Sequence, residues 1–359
     1  MLTVDLKPFR DAVNKAAVVV KPNSPKPILQ YLLLTADRNE LRIRATDLES
    51  AVAVTCPCDA REPLECVLPA ALLRDYLKLA SGEQVTIEIK GVIASLRTDR
   101  GGVRKMPTID VGDFPAPDAV TGHPWEIPCR ALKAALRVRY AAEESTRFAM
   151  NSVAFQAISG QRYAVACNGR MLAVQELGET TGEDRISLLP EQSARVLANL
   201  LPDEGTASIE DNGNRIAVAC EGLEFIAAQL DGRYPDWKKI VPSNLPINVE
   251  LPAATLVAVT REAAAAVSED SRGVQYTFND GELLAKSWSS TAGESEARAP
   301  IAYSGPSLSI IIDPRFVLEC LSLLDRGETV SLEIKDAESA MKIVSDHGFF
   351  AILMPITKE

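Results

Sequence analysis

Runs of alternating apolar and polar residues fill most of this chain, broken by a few stretches whose apolar positions recur three and four apart. The first such stretch is DLKPFRDAVNKAAVV, where Leu6, Phe9, Val13 and Ala17 fall on one face of a helix. ILQYLLLTA, NELRIRAT and AVAVTCPC follow, rich in Leu, Ile and Val with polar breaks between them, and read as short strands. A second helical run, PAALLRDYLKLA, opens at Pro69, and QVTIEI, GVIASLRT and a strand near Val103 to Met106 come after it. One helix with three strands, twice over, is the predicted content of this first stretch.

The same content returns twice. PCRALKAALRVRY predicts a helix, followed by strands NSVAFQAI, RYAVACN and MLAVQEL. A helix from Pro190 then precedes TASIED, RIAVAC and LEFIAAQL. The last third opens with LPAATLVAVTREAAAA and has its second helical run, PRFVLECLSLL, from Pro314. Proline at the first helical position loses no intrahelical bond, so each of the three prolines is a sensible start signal. GEQVTIEIK from Gly82 reappears as GETVSLEIK from Gly327, with GTASIE from Gly205 as a fainter middle copy. Phe114-Pro115, Tyr234-Pro235 and Met354-Pro355 stand 120 residues apart in a chain of 359. Equal spacing that uses up the chain predicts three homologous domains, 1–120, 122–242 and 244–359. Each is expected to be antiparallel α+β, with helices on one face of its sheets.

Domains of this length sit at the common size and bury a modest core. The N-terminal MLTVDLKPF lacks a signal peptide's apolar centre, and no run reaches the length that spans a bilayer. Seven cysteines, with no CxxC pair, and only His123 and His347 as imidazoles argue against a metal site and for a reducing, cytoplasmic home. No Gly-rich phosphate loop, G-x-S-x-G turn or HExxH is present, so no catalytic residue is assigned and no cofactor is expected. A net charge of −11 argues against indiscriminate wrapping of nucleic acid, yet allows one basic face on an acidic body.

The helices supply that face. Arg130, Lys133 and Arg137 recur at helical spacing opposite Leu132 and Leu136. Arg74 and Lys78 form a similar pair in the first third, where Lys7 and Arg10 lie on the opening helix, and Arg195 and Arg315 are counterparts on later helices. A solvated helix face explains any one of these stripes. One sign shared across equivalent helices points instead to a common phosphate-facing surface, thinnest in the last third, where the opening helix offers only Arg261. No short recognition-helix module stands apart from the repeat, so sequence-specific reading of DNA is not predicted.

KPILQYLLL (from Lys26), RATDLES (from Arg44), the DFP ending at Pro115, DGRYPDWKKIVP (from Asp231) and the terminal ILMPI together resemble the bacterial DNA polymerase III beta subunit, the replicative sliding-clamp family. The resemblance covers essentially the whole chain. It implies a head-to-tail homodimer in which three clamp domains per chain close into a six-domain ring around duplex DNA. In such a ring the helices line the hole and the sheets form the outer wall. Twelve helices about 10 Å across suffice to line a hole wider than a duplex. The resemblance also implies an apolar cleft that takes short linear peptides from the polymerase, the clamp loader and repair proteins. The matching positions are Met150, Cys167, Gly169, Arg170, Met171, Leu172, Pro235, Lys239, Ile240, Ile352, Leu353, Met354, Pro355 and Ile356.

Several positions depart from the family pattern. Cys167-Asn168-Gly169-Arg170-Met171-Leu172 replaces the usual Thr-Asp-Gly-His-Arg-Leu, which changes the charge and shape of the rim. Asn23 stands where a DNA-contacting arginine is usual. At the subunit joint the expected bulky pair on the last domain's opening helix is Ala265-Ala266. Its aromatic partner, on the edge strand that carries Arg104 and Met106, aligns to Arg104. Losing such contacts removes roughly 1.5–3 kcal/mol each, so a weaker ring, or one closed by other contacts, is expected. A plasmid, phage or repair-associated clamp paralogue is the alternative these departures suggest.

Overall fold

The computed structural model describes residues 1–115, 119–143, 148–269, 271–322, 324 and 327–356. The chain opens with a strand that the hydrophobic pattern did not separate from the helix: β1 (Leu2–Asp5) leads directly into α1 (Leu6–Ala16). Then follow β2 (Tyr31–Asp37), β3 (Glu40–Thr46), β4 (Ser50–Pro57), the two-residue β5 (Asp59–Ala60), β6 (Leu64–Pro69), α2 (Ala70–Leu79), β7 (Gln84–Lys90), β8 (Ile93–Thr98) and β9 (Val103–Pro107). The middle third repeats this order with β10 (Trp125–Pro128), α3 (Cys129–Ala135), β11 (Ser152–Ile158), β12 (Gln161–Cys167) and β13 (Met171–Glu179). It continues with β14 (Arg185–Pro190), α4 (Glu191–Leu200), β15 (Thr206–Asp211), β16 (Arg215–Cys220) and β17 (Leu223–Ala228). In the last third β18 (Ile247–Pro252), α5 (Ala253–Ala263), β19 (Val274–Asn279), β20 (Glu282–Ser289), β21 (Gly293–Pro300) and β22 (Leu308–Ile312) come first. There α6 (Pro314–Leu321), β23 (Thr329–Ile334), β24 (Met341–Ser345) and β25 (Phe349–Leu353) complete the set.

The hydrophobic pattern therefore misses the two-residue β5, the strand that opens each third, and the one that runs into the second helix. The latter corrects two of the predicted helix starts. Pro69 and Pro190 are the last residues of β6 and β14, and only Pro314 lies inside its helix. Asp313 caps that helix, accepting from the Arg315 backbone N–H at 2.9 Å. The helix predicted through Tyr140 also stops early: α3 ends at Ala135, and Leu136–Ala141 is a 3-10 turn.

By contacts the chain forms two compact units, Met1–Lys133 with Gln192–Gln229 and Ala134–Glu191 with Leu230–Glu359. The first holds an eight-stranded sheet, β10-β15-β16-β17-β4-β3-β2-β6, and a five-stranded one, β5-β1-β7-β8-β9. Leu6, Phe9, Ala12, Val13 and Ala16 bury the inner face of α1, which packs on β3 and β4. β4 and β17, far apart in sequence, pair with Val52 opposite Phe225, both buried. Behind them the buried Ser50 and Ser193 hydroxyls share a 3.0 Å hydrogen bond that ties β4 to α4.

The second unit has the eight-stranded sheet β14-β11-β12-β13-β25-β24-β23-β18 and the four-stranded β21-β20-β19-β22. Here β13 pairs with β25, setting Ala173 opposite Ala351. Buried Tyr276 donates to Thr260 at 3.1 Å, and Ser287 donates to the Ala263 carbonyl at 2.6 Å, so polar groups under α5 are satisfied. β9 and β21 end their sheets.

Candidate functional site

The cations expected to face DNA are differently engaged. Lys7, Arg74, Lys78, Arg130 and Arg195 are exposed on α1, α2, α3 and α4. Arg74 also donates through Nε to Asn14 at 3.4 Å. Arg10 has a structural task instead: its Nε and Nη2 donate to the Leu77 and Ala80 carbonyls at 2.7 and 3.1 Å. Those carbonyls end α2, where a helix has no internal donors left and its dipole favours a cation. Arg137 falls on the 3-10 turn rather than on α3. Arg315, though exposed, forms an ion pair with Asp313 at 2.6 Å.

Lys133 is half-exposed and bonded to Asp203 at 2.7 Å. That hydrogen bond and the lysine's charge, with Arg130 adding a smaller pull, hold the Asp203 carboxyl below the usual carboxylate range. The pair therefore persists at neutral pH and is lost only as pH falls through the lowered value. Replacing Asp203 with Asn should free Lys133 and strengthen retention of DNA at low salt. A filter-binding titration of wild type against D203N checks this, and unchanged affinity would mean that Lys133 does not face phosphate.

The second surface is built on the β12–β13 hairpin. The Asn168 side-chain oxygen accepts from the Arg170 and Met171 backbone N–H groups at 2.9 and 2.7 Å. The turn needs a left-handed residue between them, and Gly169 supplies it at φ +81. Gly169 and Arg170 are consequently presented to solvent on a locked turn. Next, Met171 pairs with Leu353 and Leu172 with Ile352 across β13 and β25. The terminal segment is fastened at both ends: Met354 N–H donates to the Arg170 carbonyl at 2.9 Å, and Ile356 N–H to Ile311 at 2.8 Å. Pro355 lies between them.

The segment from Leu230 to Val241 is strapped to the same unit. Tyr234 is buried, and its hydroxyl donates to the Val165 carbonyl at 3.2 Å. Trp237 Nε1 donates to Gln156 at 2.6 Å, and its ring meets Tyr163 edge-on at 5.2 Å and Phe350 at 6.2 Å. Together with Ala154, Val165, Cys167, Leu172, Val174, Leu188 and Ile352 these rings make one apolar cluster, against which Met150 packs. Burial pushes the Cys167 thiol upward, so it stays protonated at neutral pH.

The predicted cleft residues thus divide into two groups. Cys167, Met171, Leu172, Ile352 and Leu353 are at most 4% exposed, so their side chains belong to the core. Ile240, Met354 and Ile356 keep 55%, 47% and 38% of their surface. Pro235 is half-buried, and Lys239 is exposed but paired with Asp236 at 2.9 Å. Tyr234 and Trp237, which fix the strap, were landmarks in the sequence but not site residues. Two bulky aromatics on either side of Pro235 were the signal that could have found them.

Two of the four positions assigned to a subunit joint are already buried within the chain. Met106 is 1% exposed because it points inward from β9, and Ala266 is 2% exposed under its 3-10 turn. Arg104 and Ala265 are exposed.

The chain matches family models for the DNA polymerase III beta subunit, the N-terminal domain over residues 1–118 and the C-terminal domain over 238–357. It is 26% identical over 353 residues to a beta sliding clamp of Chlamydia pneumoniae, covering 96% of this chain and 95% of the relative. It is 24% identical over 325 residues to that of Escherichia coli K12, covering 88% of each. Among solved structures, a DnaN sliding clamp from Pseudomonas aeruginosa has a TM-score of 0.93 at 21% identity, covering 99% of both chains. The beta subunit of Streptococcus pyogenes DNA polymerase reaches 0.93 at 16% identity, covering 99% of this chain and 100% of that one.

Proposed function

The chain belongs to the DNA polymerase III beta subunit family, and from that premise we propose how this sequence does the family's work. Its function is that of a replicative DNA sliding clamp, a non-catalytic processivity factor. The thirds 1–120, 122–242 and 244–359 act as three clamp domains, and two chains close head to tail into a ring around duplex DNA. What carries this reading is the recurrence of one element order in all three thirds, with sheet edges already joined at β4–β17 and β13–β25.

Lys7, Arg74, Lys78, Arg130, Lys133, Arg137 and Arg195 meet phosphates in this reading, without reading sequence. A topological link holds the protein on DNA while weak, salt-sensitive contacts let it slide. Net acidity elsewhere is then no obstacle.

The floor of Cys167, Leu172 and Ile352 and the exposed Ile240, Met354 and Ile356 form the groove for short peptides of the polymerase, the clamp loader and repair proteins. Methionine suits such a role because its flexible thioether adapts to different side chains. Arg170, held on its locked turn, selects among peptides through charge. The protein works in the cytoplasm, where its cysteines stay reduced.

Sedimentation velocity over a concentration series tests the ring. The expected species has twice the 38.8 kDa chain mass and gives way to the single chain on dilution. A single chain at every concentration would overturn the ring.

A further inference from the structure

The β3–β4 turn of the first third repeats the β12–β13 turn bond for bond. Asp47 Oδ1 accepts from the Glu49 and Ser50 backbone N–H groups at 3.1 and 2.7 Å, as Asn168 does from Arg170 and Met171. Leu48 stands where Gly169 stands, at φ +79 against +81. A leucine there is strained, because its Cβ crowds the backbone in the left-handed region. Thr46 Oγ1 accepts the Leu48 N–H at 3.0 Å and holds it in place, leaving the side chain 41% exposed. Lys21 covers the acids of the turn, pairing with Asp47 at 2.9 Å and Glu49 at 3.7 Å.

Counting from the hairpins Asp37–Glu40 and Ile158–Gln161 extends the correspondence across the sheet. Ala154, Leu172 and Leu188 of the apolar cluster match Leu33, Ala51 and Val67, which are buried too. Tyr163, Val165 and Phe350 have no apolar match: Arg42, Arg44 and Glu224 take their places. Where Tyr163 and Phe350 flank the Trp237 ring, Arg42 and Glu224 form an ion pair. Arg44 is half-buried and has no hydrogen-bond or ion-pair partner among the described residues. Its Nε, the Arg42 Nε and the Thr35 hydroxyl are all buried without a partner. Register gathers the three: Thr35 faces Arg42, and Arg44 lies two residues along the same strand, on the same face about 7 Å away. The other acid of this face, Glu65, stands exposed across from Thr35 and is not bonded to Arg44. A guanidinium edge that has lost water without gaining an acceptor is costly, and a carboxylate answers it with two parallel charge-assisted bonds.

Resting on the peptide reading of the β12–β13 surface, we propose that the β3–β4 surface is a second groove, for a linear peptide that carries a carboxylate beside an apolar side chain. Arg44 takes the carboxylate, and exposed Leu48 takes the apolar group. An acidic ligand fits because a cation occupies the place of Val165, while the nearby acids are engaged by Lys21 and Arg42. One chain then holds two peptides of different chemistry at once.

The probe is a labelled decapeptide that alternates leucine with aspartate, with a leucine–asparagine version as the neutral control. Fluorescence anisotropy titrations compare wild type, R44L, L48G and the chain ending at Leu353, with thermal unfolding as a check that each is folded. Glycine relaxes the left-handed turn, so L48G removes the apolar contact without straining the fold. R44L is expected to raise the dissociation constant of the acidic peptide at least about tenfold, the loss of one charge-assisted pairing. L48G should raise it about fivefold. The chain ending at Leu353 should bind the acidic peptide as wild type does, and both variants should keep the polymerase-tail peptide at wild-type strength. No binding of the acidic peptide, equal binding of the asparagine version, or constants unmoved by R44L would overturn the second groove. A single-stranded oligonucleotide that loses affinity in R44L when the peptide does not would show that Arg44 takes phosphate, and the peptide assignment fails. A polymerase-tail peptide that binds the truncation unchanged overturns the β12–β13 reading instead, whatever R44L does.

Discussion

A chain that ends at Leu353 is expected to keep its fold and to bind partner peptides roughly 30-fold more weakly. In this truncation the residues after β25 are gone, but β25 still pairs with β13 and β24. Two backbone hydrogen bonds disappear, those from Met354 to Arg170 and from Ile356 to Ile311. Each is worth roughly 0.5–1.5 kcal/mol net, so unfolding shifts by a few degrees at most in a chain of this size. The effect on peptide binding is larger. Fully burying a Met or Ile side chain gains about 1.5–3 kcal/mol. Met354 and Ile356 are 47% and 38% exposed, so roughly half of that gain remains for a ligand to realise. Two such anchors amount to about 2 kcal/mol, or roughly 30-fold in the dissociation constant. Titration of a labelled polymerase-tail peptide against wild type and truncation reads this directly. Equal constants would put the peptide site elsewhere. Arg170→Ala is a finer probe, expected to change which peptides bind while leaving the apolar anchors in place.

The second large effect concerns DNA. Replacing Lys78, Arg130, Lys133 and Arg137 together with glutamate reverses four charges per chain on helical elements. If each cation meets a phosphate, each loss lowers the log–log salt slope by about 0.9. Retention on DNA at moderate salt should then fall by at least about tenfold. Stability should hardly change, because Lys78 and Arg130 are exposed and the Lys133–Asp203 pair lies near solvent. Residence on circular DNA measured across a salt series checks this, and a slope equal to wild type would count against a phosphate-facing role.

What the sequence disclosed and what it hid follow from how far each feature reaches along the chain. The helical stripe of α1 and the alternation of β7 and β23 are local, and both are present where the pattern puts them. β1, only Leu2–Asp5, went unread because a run that short carries no period of its own. Arg10 read as a surface cation, but its partners are the Leu77 and Ala80 carbonyls, nearly seventy residues on. Lys133 read as a bare charge for the same reason, since Asp203 is as distant. Hydrophobic pattern marks Leu353 and Met354 alike as apolar. Only the pairing of β25 with β13 and β24 sends the first into the core and leaves the second outside. Met106 and Ala266 make the same point: an alignment finds the strand or helix, while only the packed structure shows both side chains buried within the chain.

In the proposed ring, encirclement holds the protein on DNA and its surface charges only modulate the grip. Topology can be separated from affinity by placing the protein, with a clamp loader from the same organism, on nicked circular DNA and isolating the complex by gel filtration. Half of the sample is then cut once with a restriction enzyme before a second passage through the column. Co-elution with the circle and release from the linear form, from whose ends a ring slides, are the expected results. Equal retention on both forms would contradict encirclement.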